Sequence, residues 1–503
     1  MGRGGGEAVV MKDVVKVYPD GTVALRGVSL RVRSGEIHGL LGENGAGKTT
    51  LMRILYGEIR PSRGEVKVFG RRVSFKGPWD AIREGICMVY QHFSLVPSFT
   101  VLENLTLSMS SIRRASASEV AEKAREIMER TGLKVPLNEV IESLAVGVQQ
   151  RVEILKALMR DARILILDEP TSVLTPVEVR ELFNTLRRLK ELGITVILIT
   201  HKLREVKEVT DTVTVLRRGR VAGVVRTPDV SEAELAKMMV GREVVLKVSR
   251  RPRKPGGAVL EVRDLWVRGE RGVMAVKGVT LSVREGEILG IAGVQGNGQR
   301  ELAEALAGLR RVEKGRVLLM GRDITNRPPS EIYMMGLAYI PDSRTVGLIM
   351  ELNLVNNSIL TRLKRFLGRG SRVLWGRALS FTNRVVKEFN VVVESVRTPV
   401  RYLSGGNQQK VMVGREVASG PKVIVASEPT HGLDVGATEY IRNLLVRLRD
   451  EGRAVVLIST DLDEILQLSD RVAVMYEGRV MAVGRPEEFT LERLGLLMGG
   501  VSA

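Results

Sequence analysis

Two stretches of this chain are near copies of one another, and no other feature narrows the possible folds as much. Residues 24–71 align without a gap with residues 275–322, an offset of 251. Gly35, Glu36, Gly42, Gly45, Gly47, Gly57 and Gly64 recur at Gly286, Glu287, Gly293, Gly296, Gly298, Gly308 and Gly315. Further on, LAVGVQQ at 144–150 matches LSGGNQQ at 403–409, and Glu169 matches Glu428, now offset by 259. The second copy therefore carries about eight extra residues between these blocks. A duplicated domain of about 240 residues results, with copies expected at 1–242 and 258–503. Residues 243–257, rich in Arg, Lys, Pro and Gly, read as an exposed linker.

With 503 residues, 44% hydrophobic and 27% charged, the chain can bury a sizeable core in each copy, which excludes a disordered or fibrous protein. No stretch approaches the roughly 18 apolar residues in a row that cross a bilayer. The glycine-rich residues 2–6 lack the apolar core of a signal peptide, so the chain is expected to stay in the cytoplasm. The single cysteine, Cys87, permits no intrachain disulfide and no cysteine-based zinc site. The formal charge of +19 suits nucleic acid, an anionic membrane face or anionic substrates, and does not choose among them. Since 57 of the 77 basic residues are Arg, it equally fits a compositional bias.

Each copy reads as strand, glycine loop, helix, a mostly helical middle, then apolar strands separated by helices, which is α/β order. Residues 36–41, 163–167 and 194–200 read as buried central strands and 101–130 as helical. Functional loops then belong at the carboxyl ends of the strands.

Gly42, Glu43, Asn44, Gly45, Ala46, Gly47, Lys48 and Thr49, followed by Thr50, fit GxxxxGK[ST] between a strand and a helix, which is a phosphate-binding loop. Its glycines let backbone N–H groups turn towards phosphate, Lys48 neutralises charge and the Thr49 hydroxyl suits Mg²⁺. Three apolar residues lead into Asp168 and Glu169, so acids emerge at the end of a buried strand. Asp168 suits Mg²⁺ and Glu169 suits orienting an attacking water, unless both simply cap the next helix. Thr175, with Pro176 and Glu178 after it, has better capping-box spacing.

In their order, the phosphate loop, Gln91 in MVYQHF, residues 144–150, Asp168 and Glu169, and His201 in LITHK resemble the ATP-binding subunit of an ABC transporter with two cassettes in one chain. The resemblance covers nearly the whole sequence. It implies two tandem phosphate-loop NTPase cassettes, each a RecA-like α/β core with a helical subdomain, using ATP and Mg²⁺. It also implies that Gln91 contacts Mg²⁺ and signals to a membrane subunit, that His201 contacts the γ phosphate, and that Tyr18 stacks on adenine. His38, His92 and His431 lack such support and read as structural.

The two copies depart from the family pattern in complementary ways. The second loop is followed by Gln299 and Arg300 instead of Lys and Thr, Ser427 replaces the Asp before Glu428, Thr460 stands in the place of His201 and Asp342 in that of Gln91. Its signature, with Ser404, Gly405 and Gly406, is complete, whereas the first has Ala145 in the serine position. Because cassettes of the family close head to tail, the resemblance implies one hydrolytic site from Lys48, Thr49, Gln91, Asp168, Glu169 and His201 with Ser404, Gly405 and Gly406. The other site is expected to bind nucleotide weakly or hold it without turnover.

The fused pair with one degenerate half is similar to importers of monosaccharides and of nucleosides, and residues 85–104, 146–158 and 168–178 are closer to the nucleoside group. That resemblance implies two transmembrane permease subunits, an extracytoplasmic solute-binding protein, one copy per transporter and a place on the cytoplasmic face of the membrane. Soluble tandem ATPases that bind ribosomes are the rival. Paired competent sites and a long charged helical linker, which mark those proteins, are absent here, and aromatics make up only 4% of the chain.

Overall fold

The structure, a computed structural model, describes residues 6–91, 93–110, 115–172, 174, 176–243, 250, 253–270, 272–294 and 296–501. His92 and Thr175, with its proposed cap, lie outside the described residues. The chain divides into two compact units, Met1–Val244 and Val245–Ala503.

In the first unit the strands are β1 (Glu7–Val17), β2 (Val23–Arg33), β3 (Ile37–Gly42), β4 (Arg63–Val68), β5 (Arg71–Val73), β6 (Ile86–Val89), β7 (Ile164–Asp168), β8 (Thr195–Thr200), β9 (Thr212–Arg217) and β10 (Arg220–Arg226). They form a six-stranded sheet, β10-β9-β3-β8-β7-β6, and a four-stranded sheet, β2-β1-β4-β5. The first sheet is parallel except for β10, which returns antiparallel beside β9.

Every residue of β3, β7 and β8 is buried, as continuous apolar runs require when both faces of a parallel sheet are covered. Strand alternation then sends successive side chains into different cores. Leu165, Leu167, Val196 and Leu198 join the helical side, with Val101, Leu105, Val152, Leu155, Phe183 and Leu186. Ile164, Ile166, Ile197 and Ile199 join the opposite core, with Leu51, Leu55 and the inward residues of β1 and β2. The phosphate-loop helix is thereby held by the antiparallel sheet, and the signature helix by the helical part.

Strands 36–41, 163–167 and 194–200 occur within a residue of expectation. The helical stretch 101–130 is two helices, Val101–Ser110 and Ala117–Thr131. The second begins at a capping box in which Ser116 Oγ accepts the Glu119 N–H at 3.3 Å and Glu119 Oε2 accepts the Ser116 N–H at 2.7 Å. The antiparallel sheet has no counterpart in the sequence-level reading.

The second unit repeats this plan with β11 (Ala258–Arg268), β12 (Met274–Arg284), β13 (Ile288–Ala292), β14 (Val312–Leu319), β15 (Arg322–Asp323), β16 (Leu337–Ile340), β17 (Val423–Ser427), β18 (Ala454–Ser459), β19 (Arg471–Tyr476) and β20 (Arg479–Gly484). Its sheets run β16-β17-β18-β13-β19-β20 and β12-β11-β14-β15. The described part of the expected linker is not wholly exposed. Arg250 reaches the carbonyl of Ser469 and lies 3.7 Å from Asp470, and Arg253 donates to the Arg449 carbonyl at 3.1 Å. These two side chains cap strand and helix ends of the second unit.

Candidate active site

Strand β3 delivers the chain into the glycine loop, and two glycines there are required by space. A Cβ on Gly42 would stand 2.5 Å from the Leu216 carbonyl oxygen, and one on Gly47 2.7 Å from the Leu25 side chain. Gly47 also has φ 102°, in the left-handed region that side chains disfavour. It leads directly into the helix Lys48–Leu55. Lys48 is buried and folds back over its own loop, its Nζ donating to the Gly42 carbonyl at 2.7 Å and the Glu43 carbonyl at 3.0 Å. Burial pushes its pKa down, against the opposing pull of Glu169, Asp168 and Glu43. The Tyr18 hydroxyl lies 3.2 Å from Thr50 Oγ1, which ties that ring to the first turn of the same helix.

Two acids leave the end of β7. Asp168 is buried, and burial first, then the neighbouring Glu169, push its carboxyl up, while a hydrogen bond with Thr49 and the charge of Lys48 oppose them. Glu169 turns into the left-handed region with φ 47° and donates its N–H to the Ile199 carbonyl of β8 at 3.0 Å. That turn carries its side chain to His201, just past β8, with Oε1 2.9 Å from Nδ1. Burial raises the Glu169 carboxyl most strongly, but His201, Lys48 and Lys202 outweigh it and hold the group below its ordinary range. The result is a cation, a hydroxyl-bound acid and an ionised, oriented carboxylate around one strand end, which suits phosphoryl transfer by positioning and charge stabilisation.

Lys48, Thr49, Asp168, Glu169 and His201 are thus brought together, and Tyr18 meets Thr50. Gln91 is not hydrogen-bonded into this cluster. It follows edge strand β6, is exposed, and makes no hydrogen bond with Thr49, Asp168 or Glu169. Glu43, Asn44, Gly45 and Ala46 form the loop itself, closed by the Ala46 N–H donating to the Glu43 carbonyl at 3.1 Å.

Sequence reasoning missed the scaffold behind these groups. Buried Glu205 accepts from the hydroxyls of Thr171 and, at 2.9 Å, Thr200, and pairs with Lys202 at 3.1 Å, locking the turn after Glu169 to the turn carrying His201. Gln150 Nε2 donates to the Pro170 carbonyl at 2.6 Å, linking the signature helix Val146–Met159 to the same turn. Both were detectable in the repeat. Gln409 reaches the Pro429 carbonyl at 2.8 Å and Thr430 reaches Glu464 at 2.7 Å, at the same 259-residue offset.

The second unit keeps the loop and loses the charges. Gly296 and Gly298 hold φ 92° and 94°, and the Gln299 amide donates to the Val294 carbonyl at 3.1 Å, a neutral stand-in for the Lys48 tether. Arg300 is committed to Glu304 at 2.9 Å. Glu428 keeps the left-handed turn, with φ 46° and its N–H on the Ile458 carbonyl at 2.8 Å. It accepts the Thr460 N–H at 2.7 Å, but burial first, helped by the charges of Glu464 and Asp461, outweighs that bond and its carboxyl is pushed up to about 7. At the Tyr18 position stands Gly269, so the aromatic ring is missing too.

The signature helices also differ. Ser404 caps Gly405–Val417, its hydroxyl accepting from the Asn407 N–H at 3.4 Å and amide at 3.0 Å, whereas Ala145 offers the first signature helix no side-chain cap.

The family model for ABC transporters matches residues 25–172 and again 276–431. Among curated proteins, a glucose import ATP-binding protein of Haloferax volcanii is 44% identical over 97% of this chain and 95% of its own length. A nucleoside import ATP-binding protein of Lactococcus lactis subsp. cremoris is 44% identical over 98% of both chains. A ribose import ATP-binding protein of Rubrobacter xylanophilus is 43% identical over 98% of both.

Proposed function

Since this chain belongs to the ABC transporter family, as an ATPase with two cassettes, we propose that it hydrolyses ATP at the first cassette to drive import of nucleosides across the cytoplasmic membrane. The observation that carries the reading is the ionised Glu169 carboxylate on His201, beside buried Lys48 and the Asp168–Thr49 pair. In it, the loop from Gly42 to Gly47, including Glu43, Asn44, Gly45 and Ala46, holds the phosphates with Lys48, Thr49 and Thr50. Tyr18 stacks on the base. Glu169 orients and polarises the attacking water, and His201 holds that carboxylate and meets the γ phosphate.

The Thr49 hydroxyl and Asp168 carboxylate are hard oxygen donors of the kind Mg²⁺ takes, with Gln91 as the third. Bound there, Mg²⁺ supplies screening of phosphate charge. Ser404, Gly405 and Gly406 are assigned to nucleotide contact on the resemblance and on the serine cap.

The cassettes correspond to 1–242 and 258–503, joined by 243–257. Among the described residues no helix is long and apolar enough to cross a membrane. The chain works at the cytoplasmic face with two permease subunits and an extracytoplasmic solute-binding protein, one copy per transporter and without nucleic acid. Import of monosaccharides is the second reading, favoured by the relatives named for glucose and ribose. ATP hydrolysis by the complex reconstituted with its permease and binding protein tests both. Stimulation by nucleosides supports the first reading, and stimulation by sugars alone replaces it with the second.

A further inference from the structure

Residues 352–387 of the second unit contain eight basic residues and not one acid. The same isolated bridge closes this region in both units, Thr100 with Val140 and Asn353 with Pro399, spans of 40 and 46 residues. Most of the second copy's extra length therefore falls here. Between the bridging residues the first unit has six basic and six acidic side chains, and the second has nine basic and two acidic.

The extra length is built into the structure. Leu367 bridges Val373, the Gly368 N–H donates to the Arg372 carbonyl at 2.9 Å and the Leu374 N–H to the Phe366 carbonyl at 2.7 Å, giving a small hairpin with Arg369 and Arg372 exposed at its tip. Its base is fixed by a separate buried cluster of Val355, Ile359, Phe366 and Ala378, and the Phe366 and Phe381 rings lie 5.3 Å apart. The helix Trp375–Glu388 follows, displaying Trp375 at 57% exposure and Leu379 one turn on at 40%.

Of the eight cations only buried Arg362 meets a carboxylate, that of Glu416 at 2.5 Å. The other seven are exposed and have no ion pair among the described residues. The partners of Lys364, Arg365 and Arg384 are a hydroxyl and two carbonyls. A rigid, uncompensated cationic tip beside an exposed tryptophan and leucine matches a bilayer interface, where headgroups supply negative charge and the acyl boundary takes up indole and aliphatic groups. The aliphatic surface would gain nothing from a phosphodiester backbone.

We infer that this hairpin and helix of the second unit dock on anionic lipid headgroups. The inference rests on the reading that the chain works at a membrane. It is tested with the purified full chain and vesicles of phosphatidylcholine and phosphatidylglycerol in a two-to-one ratio, against phosphatidylcholine alone. Binding is expected only to the anionic vesicles and to weaken as salt screens the charges. The variant Arg369→Gln/Arg372→Gln is expected to lose partition about twenty-five-fold, at about fivefold for each basic residue. Its melting temperature and ATPase rate stay unchanged, and removal of three exposed first-unit arginines, Arg31→Gln/Arg71→Gln/Arg72→Gln, has little effect on partition. In wild type, Trp375→Ala weakens the salt-resistant part of the binding.

Equal binding to phosphatidylcholine, or retained binding in the double variant, would overturn the inference. Polyuridylate that displaces the chain from anionic vesicles would overturn it in favour of nucleic acid. The solute-stimulated ATPase of the reconstituted complex reads the proposed function separately, so its failure is distinguishable from failure of vesicle binding.

Discussion

Glu169 Oε1 lies 2.9 Å from His201 Nδ1, a pairing across the ends of β7 and β8 that the left-handed turn at Glu169 makes possible. The second unit has the same turn at Glu428 but meets it with the Thr460 backbone. The same carboxyl, on the same strand end, is held low in one unit and pushed up to about 7 in the other. Backbone geometry is common to the two sites, and the facing cation separates them.

Replacing His201 with Ala removes the bond that orients Glu169 while leaving the turn and its backbone bond to Ile199. Turnover is expected to fall on the order of a hundredfold, with ATP affinity changed far less, since the lost group acts on the carboxylate that positions the water. Steady-state ATPase rates and nucleotide titration separate the two effects.

Glu428 gives the second unit a pH dependence of known sign. A carboxyl raised from 4.5 to about 7 stabilises the fold below pH 4.5 and loses that contribution as pH climbs to about 7. Glu428→Gln mimics the protonated form. Its stability relative to wild type is expected to grow by about 3 kcal/mol between pH 4.5 and 7 and then level off, measured by urea unfolding.

The signature helices predict opposite effects of exchanging one residue. Ser404→Ala removes a cap and is expected to cost about 1 kcal/mol in urea unfolding, while Ala145→Ser adds one and gains a similar amount. ATPase activity is expected to fall only in Ser404→Ala.

His38 is buried in β3 between Glu36, at 3.0 Å, and Thr214, at 2.9 Å. Leu289 takes its place in the second unit, where Arg471 pairs with Glu287 instead. His38→Leu leaves Glu36 and the Thr214 hydroxyl short of a partner, at about 2 kcal/mol. Burial acts most strongly on Glu36 and raises its carboxyl, yet His38, the Arg33 N–H and Thr212 hold it below 4.5. Its stabilisation is full above pH 4.5 and disappears as pH falls through the lower folded value, so the stability difference between wild type and variant is expected to narrow as pH falls below 4.5 in urea unfolding.

The three central strands and the glycine loop were legible in the sequence because burial on both faces leaves unbroken apolar runs, and because the repeat marks glycines that space requires. The antiparallel sheet was not, since β1 and β2 carry half-exposed mixed residues and two-strand register is set by partners far away in sequence. Ser116 was overlooked as a helix start within a long helical pattern. Of the site, the residue types could be read from their order. Their protonation could not, because it depends on which cation burial leaves opposite each acid. The lock made by Glu205 was visible only as a repeated Thr and Glu pair, and Gln91, prominent in the sequence, is exposed.

The most direct test compares ATP hydrolysis by Glu169→Gln and Glu428→Gln in otherwise intact chains. Loss of at least about a hundredfold in the first, with most of the rate kept in the second, is the expected result, because Glu169 is oriented by His201 and faced by Lys48, whereas Glu428 has Gln299 in the place of that lysine and Thr460 in the place of the histidine. Equal losses in the two variants would contradict it.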